Sequence, residues 1–234
     1  MIWANTETGK ATASPGAAGN CPSCGADLIP KCGSIISWHW AHKSCDCDNW
    51  SEPESEWHLG WKRAFPANWQ EVTIGPHRAD VLCPKGVIEF QKSSISADEI
   101  REREAFYRRM VWVVWAGDWC LEKNINWHLV AYRKEQELLG FADVFGSIFD
   151  TQTPEKFAKQ QHAWECVHKA WKQNPRFTWS PPRKSWFAAS KPVFMDLGGD
   201  YLLRIKDIYH SSRTFLNCKA IKKTDLIFSW SNTP

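Results

Sequence analysis

Two short β-prone runs separated by a turn limit the possible folds of this chain more than any other feature. The first run, residues 78–82, carries Asp80 among apolar residues, and the second, residues 86–91, carries Glu89. Acidic residues are poor strand formers and are costly to bury, so their position inside apolar strands indicates that they are retained for a function. Because side chains alternate along a strand, Glu89 and Gln91 are expected on the same side.

The segments around these runs predict an α–β–β–β–α–β order of elements. A helix is expected to begin near Glu54, followed by strands over about 71–74, 78–82 and 86–91. Ser96 and Glu99 have the spacing of a capping box, which predicts a helix over about 97–109. The apolar run at 111–115 predicts a further strand. The pattern is typical of a mixed α/β (α+β) domain.

Residues 21–50 are dense in cysteine and histidine. Cys21 and Cys24 form a Cys-x2-Cys knuckle, which presents two thiolates to one Zn²⁺. His39 and His42 are the natural second pair, although the spacing of two between them is shorter than the usual three to five. The cysteines that compete for these places, or remain possible there, are Cys45, Cys47 and Cys32. The sequence predicts a structural zinc in this module.

Short motifs follow one another along the first half of the chain. They are Ser55-Glu56-Trp57-His58-(x3)-Lys62, Arg78-Ala79-Asp80-Val81, Ile88-Glu89-Phe90-Gln91-(x)-Ser93 and Arg103-(x3)-Tyr107. Together with the Cys/His stretch, their order and spacing over about residues 21–116 resemble the competence protein CoiA-like nuclease family. The resemblance implies a restriction-endonuclease-like αβββαβ core of the PD-(D/E)XK superfamily and metal-dependent nuclease activity.

The resemblance also implies roles for individual residues. Asp80 and Glu89 become ligands of Mg²⁺ or Mn²⁺, and Gln91 stands where the motif often has a lysine. A glutamine can orient a water molecule but has no charge to activate it, so Lys62 is expected to supply the missing cation. Arg103 and Tyr107 become supporting or packing residues. The predicted catalytic residues are Glu56, His58, Lys62, Asp80, Glu89 and Gln91.

Composition divides the chain into five predicted segments. Residues 1–20 are expected to be a flexible tail, 21–50 a zinc-knuckle-like module, 51–120 the nuclease core, 121–175 helical and 176–234 basic and β-rich. Net charge is +3 overall, but residues 176–234 hold ten Lys/Arg against four Asp/Glu, while residues 1–175 hold nineteen against twenty-two. The C-terminal segment is therefore the predicted phosphate-contacting end, although charge runs also serve solubility.

These patterns predict a DNA nuclease, with an endonuclease favoured, that processes foreign or internalised DNA. The alternative is a catalytically inactive zinc-containing nucleic-acid-binding protein or a subunit of a DNA-processing complex. The expected partners are DNA and DNA-processing proteins. A cytoplasmic, membrane-free protein is expected, because no signal peptide is visible and the longest apolar run, 110–116, is too short to span a bilayer. In that compartment the nine cysteines favour metal binding over disulfides.

Overall fold

The computed structural model describes residues 1–34, 37–44, 47–116, 176–179, 183–196, 198–210 and 214–232. The chain forms two compact units, residues 1–93 with 230–234 and residues 94–229. Both contain helices and strands, which confirms the predicted mixed α+β class. The predicted helical segment 121–175 lies outside the described residues. No helix in the described part of the chain is long and apolar enough to cross a membrane.

The first unit begins with a five-stranded antiparallel sheet in the order β2-β1-β3-β4-β5. Its strands are β1 (Trp3–Thr6), β2 (Gly9–Thr12), β3 (Gly19–Asn20), β4 (Asp27–Lys31) and β5 (His39–His42). The small core of this sheet consists of Met1, Ala4, Ala13, Cys21, Leu28 and Trp40. The sheet thus has its own apolar centre, filled largely by one tryptophan and small side chains.

Residues 1–20 differ from the expected flexible tail, because they form strands β1 to β3. Small residues, which are also common in disordered segments, serve here to fit the chain beneath Trp40. Ala4 is fully buried, and a Cβ placed on Gly19 would lie 2.8 Å from the Cβ of Ala4 and 3.3 Å from the Trp40 ring. The close approach of strands β1 and β3 therefore requires glycine at position 19.

The rest of the first unit is a helix followed by an antiparallel three-stranded meander. The elements are helix α1 (Glu56–Arg63), a 3-10 turn (Ala67–Trp69), β6 (Gln70–Ile74), β7 (His77–Cys83) and β8 (Gly86–Gln91). Helix α1 begins two residues later than predicted because Ser55 is its N-cap, accepting a hydrogen bond from the His58 amide at 3.4 Å. Trp61 stacks on Phe90 at 5.4 Å between ring centroids, which holds α1 against β8.

The second unit pairs β9 with β11 in parallel, and β11, β12, β13 and β10 follow in antiparallel order. Its elements are α2 (Ala97–Tyr107), β9 (Met110–Trp115), β10 (Arg176–Trp179), a 3-10 helix (Lys184–Ala188), β11 (Val193–Asp196), β12 (Tyr201–His210), β13 (Thr214–Lys222) and all but the last two residues of α3 (Lys223–Ser231). Along the chain, the order α1-β6-β7-β8-α2-β9 is the predicted one, and the described part of 176–232 is β-rich as expected.

Candidate metal and catalytic sites

A single buried lysine lies among three carboxylates in the first unit. The Nζ atom of Lys62 is 2.6 Å from Glu54 Oε1, 3.0 Å from Glu71 Oε1 and 3.0 Å from Asp80 Oδ1. Lys62 is 3% exposed. Burial alone would lower its pKa, but Asp80, Glu54 and Glu71 together raise that pKa well above the usual value. Lys62 therefore carries a permanent positive charge at neutral pH.

Glu71 ties this lysine to the N-terminal sheet. Its carboxylate accepts hydrogen bonds from the backbone amides of Ile2, at 2.8 Å, and Trp3, at 3.1 Å. Its backbone has a φ of 51°, a left-handed conformation that is uncommon for a non-glycine residue. Burial favours its neutral form, but Lys62 outweighs burial and holds the pKa of Glu71 well below the usual value. Glu71 is thus an ionised anchor between strands β1 and β6.

Asp80 and Glu89 hydrogen-bond across neighbouring strands, as expected from their places on β7 and β8. The amide of Asp80 donates to Glu89 Oε1 at 3.2 Å, and the amide of Phe90 donates to Asp80 Oδ2 at 2.9 Å. Each carboxylate therefore contacts the backbone of the strand that carries the other. The Asp80 side chain is 21% exposed, whereas Glu89 is 3% exposed. Solvent reaches this pair mainly from the side of Asp80.

Glu52, in the segment before α1, clamps the end of strand β8. Its carboxylate accepts hydrogen bonds from Gln91 Nε2, from the amides of Lys92 and Ser93 at 3.0 and 2.9 Å, and from the Ser93 hydroxyl. His58 Nε2 is 3.0 Å from Glu52 Oε2 and completes the set. Burial would raise its pKa, but the hydrogen bonds from His58, Lys92 and Ser93 lower it to about 2. Glu52 is therefore ionised at neutral pH.

His58 is held at both ring nitrogens. Its Nε2 faces the ionised Glu52, so this nitrogen carries the proton and donates it. Its Nδ1 is 2.8 Å from the Ser55 hydroxyl. Because both of its ring nitrogens form hydrogen bonds, His58 holds Glu52 in place and stabilises the start of α1.

Other predicted residues lie apart from this cluster. Glu56 is exposed, and its carboxylate accepts a hydrogen bond from the Ser37 hydroxyl. In the second unit Arg103 forms an ion pair with Glu99 and lies over the Trp112 ring, and Tyr107 contacts Phe106 edge to face. The structure therefore brings together His58, Lys62, Asp80, Glu89 and Gln91 with Glu52, Glu54 and Glu71.

The sequence pattern missed Glu52 and Glu71 as parts of this cluster. Glu52 lies in a loop, and its partners at the end of strand β8 and directly after it follow 39 to 41 residues later, so local spacing carries no signal for it. Glu71 gives a weak signal, because it is an acidic residue beside the apolar part of strand β6. Glu54, which was expected to begin the first helix, instead precedes α1 by two residues and contacts Lys62 from the loop.

Cys21, Cys24, His42 and Cys47 form a second cluster, suited to a metal ion such as zinc. Their ligand atoms all lie within 4.8 Å of one another. The Sγ atoms of Cys21 and Cys47 are 3.7 Å apart, and Cys24 Sγ is 3.4 Å from His42 Nε2. A tetrahedron with ordinary zinc bond lengths has edges of about 3.8 Å between two sulfurs and about 3.6 Å between sulfur and nitrogen. The side chains therefore fit tetrahedral zinc.

The structure changes one predicted ligand of this cluster. His39 and His42 are three positions apart on strand β5, so their side chains project to opposite sides. His39 Nδ1 donates instead to the carbonyl of Ser37 at 2.7 Å, and Cys47 takes the fourth position. Cys32 packs against the core of the N-terminal sheet, and Cys45 lies outside the described residues.

The thiols of this cluster differ in acidity. Burial opposes ionisation of Cys21, but hydrogen bonds from the backbone of Cys24 and Ser23 outweigh it and lower the pKa of Cys21 to about 7. Burial and the neighbouring thiols raise the pKa of Cys47 to about 12. Three thiols this close cannot all ionise without a cation. A zinc ion would supply that positive charge and stabilise the three thiolates.

Three short contacts join the segments beside the cysteine cluster to the β6–β7 hairpin. The Ser23 hydroxyl, within the knuckle, is 2.7 Å from the Thr73 hydroxyl on β6. Asp48, next to Cys47, accepts hydrogen bonds from His77 Nδ1 at 2.9 Å and from the Arg78 amide at 2.7 Å. A metal bound by Cys21 and Cys47 would therefore tie both anchoring segments together beside the strand that carries Asp80.

A family model described as "Competence protein CoiA, N-terminal domain" matches residues 19–49 of this chain. The match contains all four residues of the cysteine and histidine cluster. It supports a CoiA-like family and suggests a competence-related role. No curated protein and no solved structure matches the chain significantly. The carboxylate cluster begins at Glu52, after the matched residues.

Proposed function

We propose that this protein is a divalent-metal-dependent nuclease that hydrolyses phosphodiester bonds in DNA, with a restriction-endonuclease-like core of the PD-(D/E)XK superfamily. The observation that carries the proposal is the convergence of Lys62, Asp80 and Glu89 from helix α1 and strands β7 and β8. The order α1-β6-β7-β8-α2-β9 along the chain agrees with an αβββαβ core. Foreign or internalised DNA is the proposed substrate, in line with the CoiA-like match.

The side chains of this cluster fit a hard divalent cation. They offer oxygen donors, which Mg²⁺ and Mn²⁺ prefer. Glu54 Oε2 and Gln91 Oε1 are buried acceptor oxygens without a hydrogen-bond partner among the described residues. Buried acceptors are normally satisfied, and a cation beside them would remove this deficit. Asp80 and Glu89 would hold the ion.

The chain's own residues then prepare the site for a phosphodiester. Lys62 and the Phe90 amide each hold one oxygen of Asp80, which fixes the orientation of that carboxylate. Because its pKa is raised, Lys62 acts by its charge and takes no part in proton transfer. When bound, the divalent cation neutralises charge on the phosphate and makes a bound water more acidic. Asp80, the more exposed of the two acids, marks the side from which substrate approaches.

The basic β12–β13 ribbon is the proposed surface for the DNA backbone. Arg204 and Lys219 are directly opposite in the ladder, and like charges at such positions destabilise a sheet. Lys206, Lys219 and Lys222 are exposed. A phosphate chain along the ribbon would remove this repulsion, as expected for a surface that contacts nucleic acid without reading its sequence.

A zinc-containing nucleic-acid-binding protein without catalysis, alone or within a DNA-processing complex, is the second candidate. It is favoured by the position of Lys62, whose charge lies within 3.0 Å of three carboxylates and neutralises part of their charge without a metal. In this case the carboxylate cluster would serve stability alone. The two candidates differ in one outcome: bound DNA is cleaved in the presence of Mg²⁺ only if the protein is a nuclease.

The test is a cleavage assay on supercoiled plasmid, linear duplex and single-stranded DNA, each with Mg²⁺, Mn²⁺ or EDTA. The nuclease should cut with Mg²⁺ or Mn²⁺ and remain inactive in EDTA, and nicking of the plasmid would show endonuclease action. Asp80→Asn should abolish cleavage because it removes a ligand charge. Asp98→Asn, at an exposed acid on helix α2, is the matched control and should cut at the wild-type rate. DNA that is bound but uncut under every condition would favour the second candidate.

A further inference from the structure

The Gln91 amide is held in one orientation by a charged neighbour. The backbone amides of Lys92 and Ser93, which can only donate, are 3.0 and 2.9 Å from the two Glu52 oxygens, so both of these oxygens act as acceptors. Gln91 must therefore turn its NH₂ group toward Glu52, where Nε2 donates to Glu52 Oε1 and also lies 3.3 Å from the Ser93 carbonyl. The reverse orientation would place the amide oxygen against a carboxylate and a carbonyl oxygen. Glu52 therefore fixes the Gln91 amide in one of its two possible orientations.

This orientation leaves the amide oxygen of Gln91 without a hydrogen-bond donor. Gln91 is 2% exposed, and its Oε1 is buried and has no hydrogen-bond partner among the described residues. A buried acceptor without a donor destabilises a fold, so a fold rarely keeps one without a use. Glu89 lies two positions before Gln91 on the same strand, so both side chains project to the same side of β8. The free oxygen therefore belongs to the side of β8 that carries the acid.

We propose that Glu52 is a positioning residue which fixes Gln91 so that its amide oxygen is a ligand for the divalent cation at Asp80 and Glu89. The inference rests on the proposed nuclease function and gives it a specific feature. The glutamine supplies an oxygen to the ion, where a lysine at the same position would supply a positive charge. Amide oxygens are ordinary ligands of hard divalent cations. His58 belongs to the same device, because it donates to the second oxygen of Glu52.

The test measures Mg²⁺ affinity by titration calorimetry on the full chain with its zinc retained. Glu52→Gln keeps the shape of the clamp, but its new amide can donate to the Gln91 oxygen and withdraw it from the ion. Loss of a group that orients a metal ligand lowers metal affinity by about 10- to 100-fold, and this is the expected result. Asp98→Asn, at the exposed acid on helix α2 that has no part in the clamp, is the control, and its Mg²⁺ affinity should stay within about twofold of wild type.

A double variant separates positioning from general stability. Glu52→Gln combined with Gln91→Glu exchanges the donor and the acceptor, which retains the hydrogen bond and restores an oxygen to the ion. We expect it to recover the Mg²⁺ affinity lost in Glu52→Gln. If Glu52→Gln melts earlier yet binds Mg²⁺ like wild type, Glu52 is a structural clamp and the inference is wrong, while the nuclease proposal survives. If wild type itself binds no Mg²⁺ and cuts no DNA, both are wrong.

Discussion

Replacing Lys62 with methionine tests how strongly the buried carboxylates depend on one charge. Lys62→Met keeps an unbranched apolar side chain of similar length, so packing changes little and the charge is lost. Three carboxylate oxygens, from Glu54, Glu71 and Asp80, then lose a partner that lies 2.6 to 3.0 Å away. Removing one member of a buried ion pair costs about 3–5 kcal/mol.

Protonation sets an independent limit on this cost. A carboxyl group with an ordinary pKa of 4.5 can escape the repulsion by binding a proton, which at pH 7 costs about 3.4 kcal/mol. The two figures agree, so we expect Lys62→Met to lower the free energy of unfolding by about 3–4 kcal/mol at pH 7. At pH 5 the same protonation costs only about 0.7 kcal/mol. The variant binds protons more tightly when folded, so its deficit shrinks as the pH falls.

Urea unfolding followed by tryptophan fluorescence, at pH 7 and at pH 5, measures both quantities. Arg63→Met, at the exposed neighbouring position on α1, is the matched control and should change stability by no more than about 0.5 kcal/mol. An unfolding midpoint for Lys62→Met equal to that of wild type at pH 7 would refute the reasoning. A deficit of equal size at both pH values would refute its electrostatic part.

Three further predictions concern zinc, acid and DNA. Elemental analysis should find one zinc per chain, lost in Cys47→Ser but kept in His39→Ala; retention by Cys47→Ser would contradict the revised ligand set. Glu52 has a folded pKa of about 2 against an ordinary 4.5, so its stabilisation is present above pH 4.5 and lost toward pH 2. The gap in urea midpoint between wild type and Glu52→Gln should therefore close in acid, and a constant gap would contradict this. Lys206→Gln and Lys219→Gln should each reduce the salt dependence of DNA binding by about one phosphate contact, and unchanged slopes would remove the ribbon from the interface.

The strands of the meander could be predicted from the sequence because their signals are local. Alternation and apolar runs place β7 and β8 within about two residues of their observed bounds. Strands β1 to β3 give no such signal, since they are short and rich in small polar residues and owe their order to Trp40. Helix α3 was missed because the chain there was expected to continue as β-structure.

The residues of the candidate sites likewise divide into those with a local sequence signal and those without one. Asp80, Glu89 and Gln91 stand out because polar residues interrupt apolar strands, and Lys62 was predicted because the uncharged Gln91 leaves a cation to be supplied from the first helix. Glu52 contacts strand β8 from a loop about forty residues earlier, and no local pattern records such a contact. Alternation on β5 could have excluded His39 as the partner of His42, had residues 39–42 been recognised as a strand within the zinc-knuckle-like module.

The central proposal is that Glu89 would help to hold the divalent cation on which DNA cleavage depends, and single-turnover cleavage by Glu89→Gln tests it most directly. The glutamine keeps an acceptor for the Asp80 amide, so the strand pair is preserved while the ligand charge is lost. With saturating Mg²⁺ we expect no cleavage above background, together with DNA affinity equal to or higher than that of wild type, because a negative charge facing phosphate is gone. Cleavage by the folded variant at the wild-type rate would contradict the account.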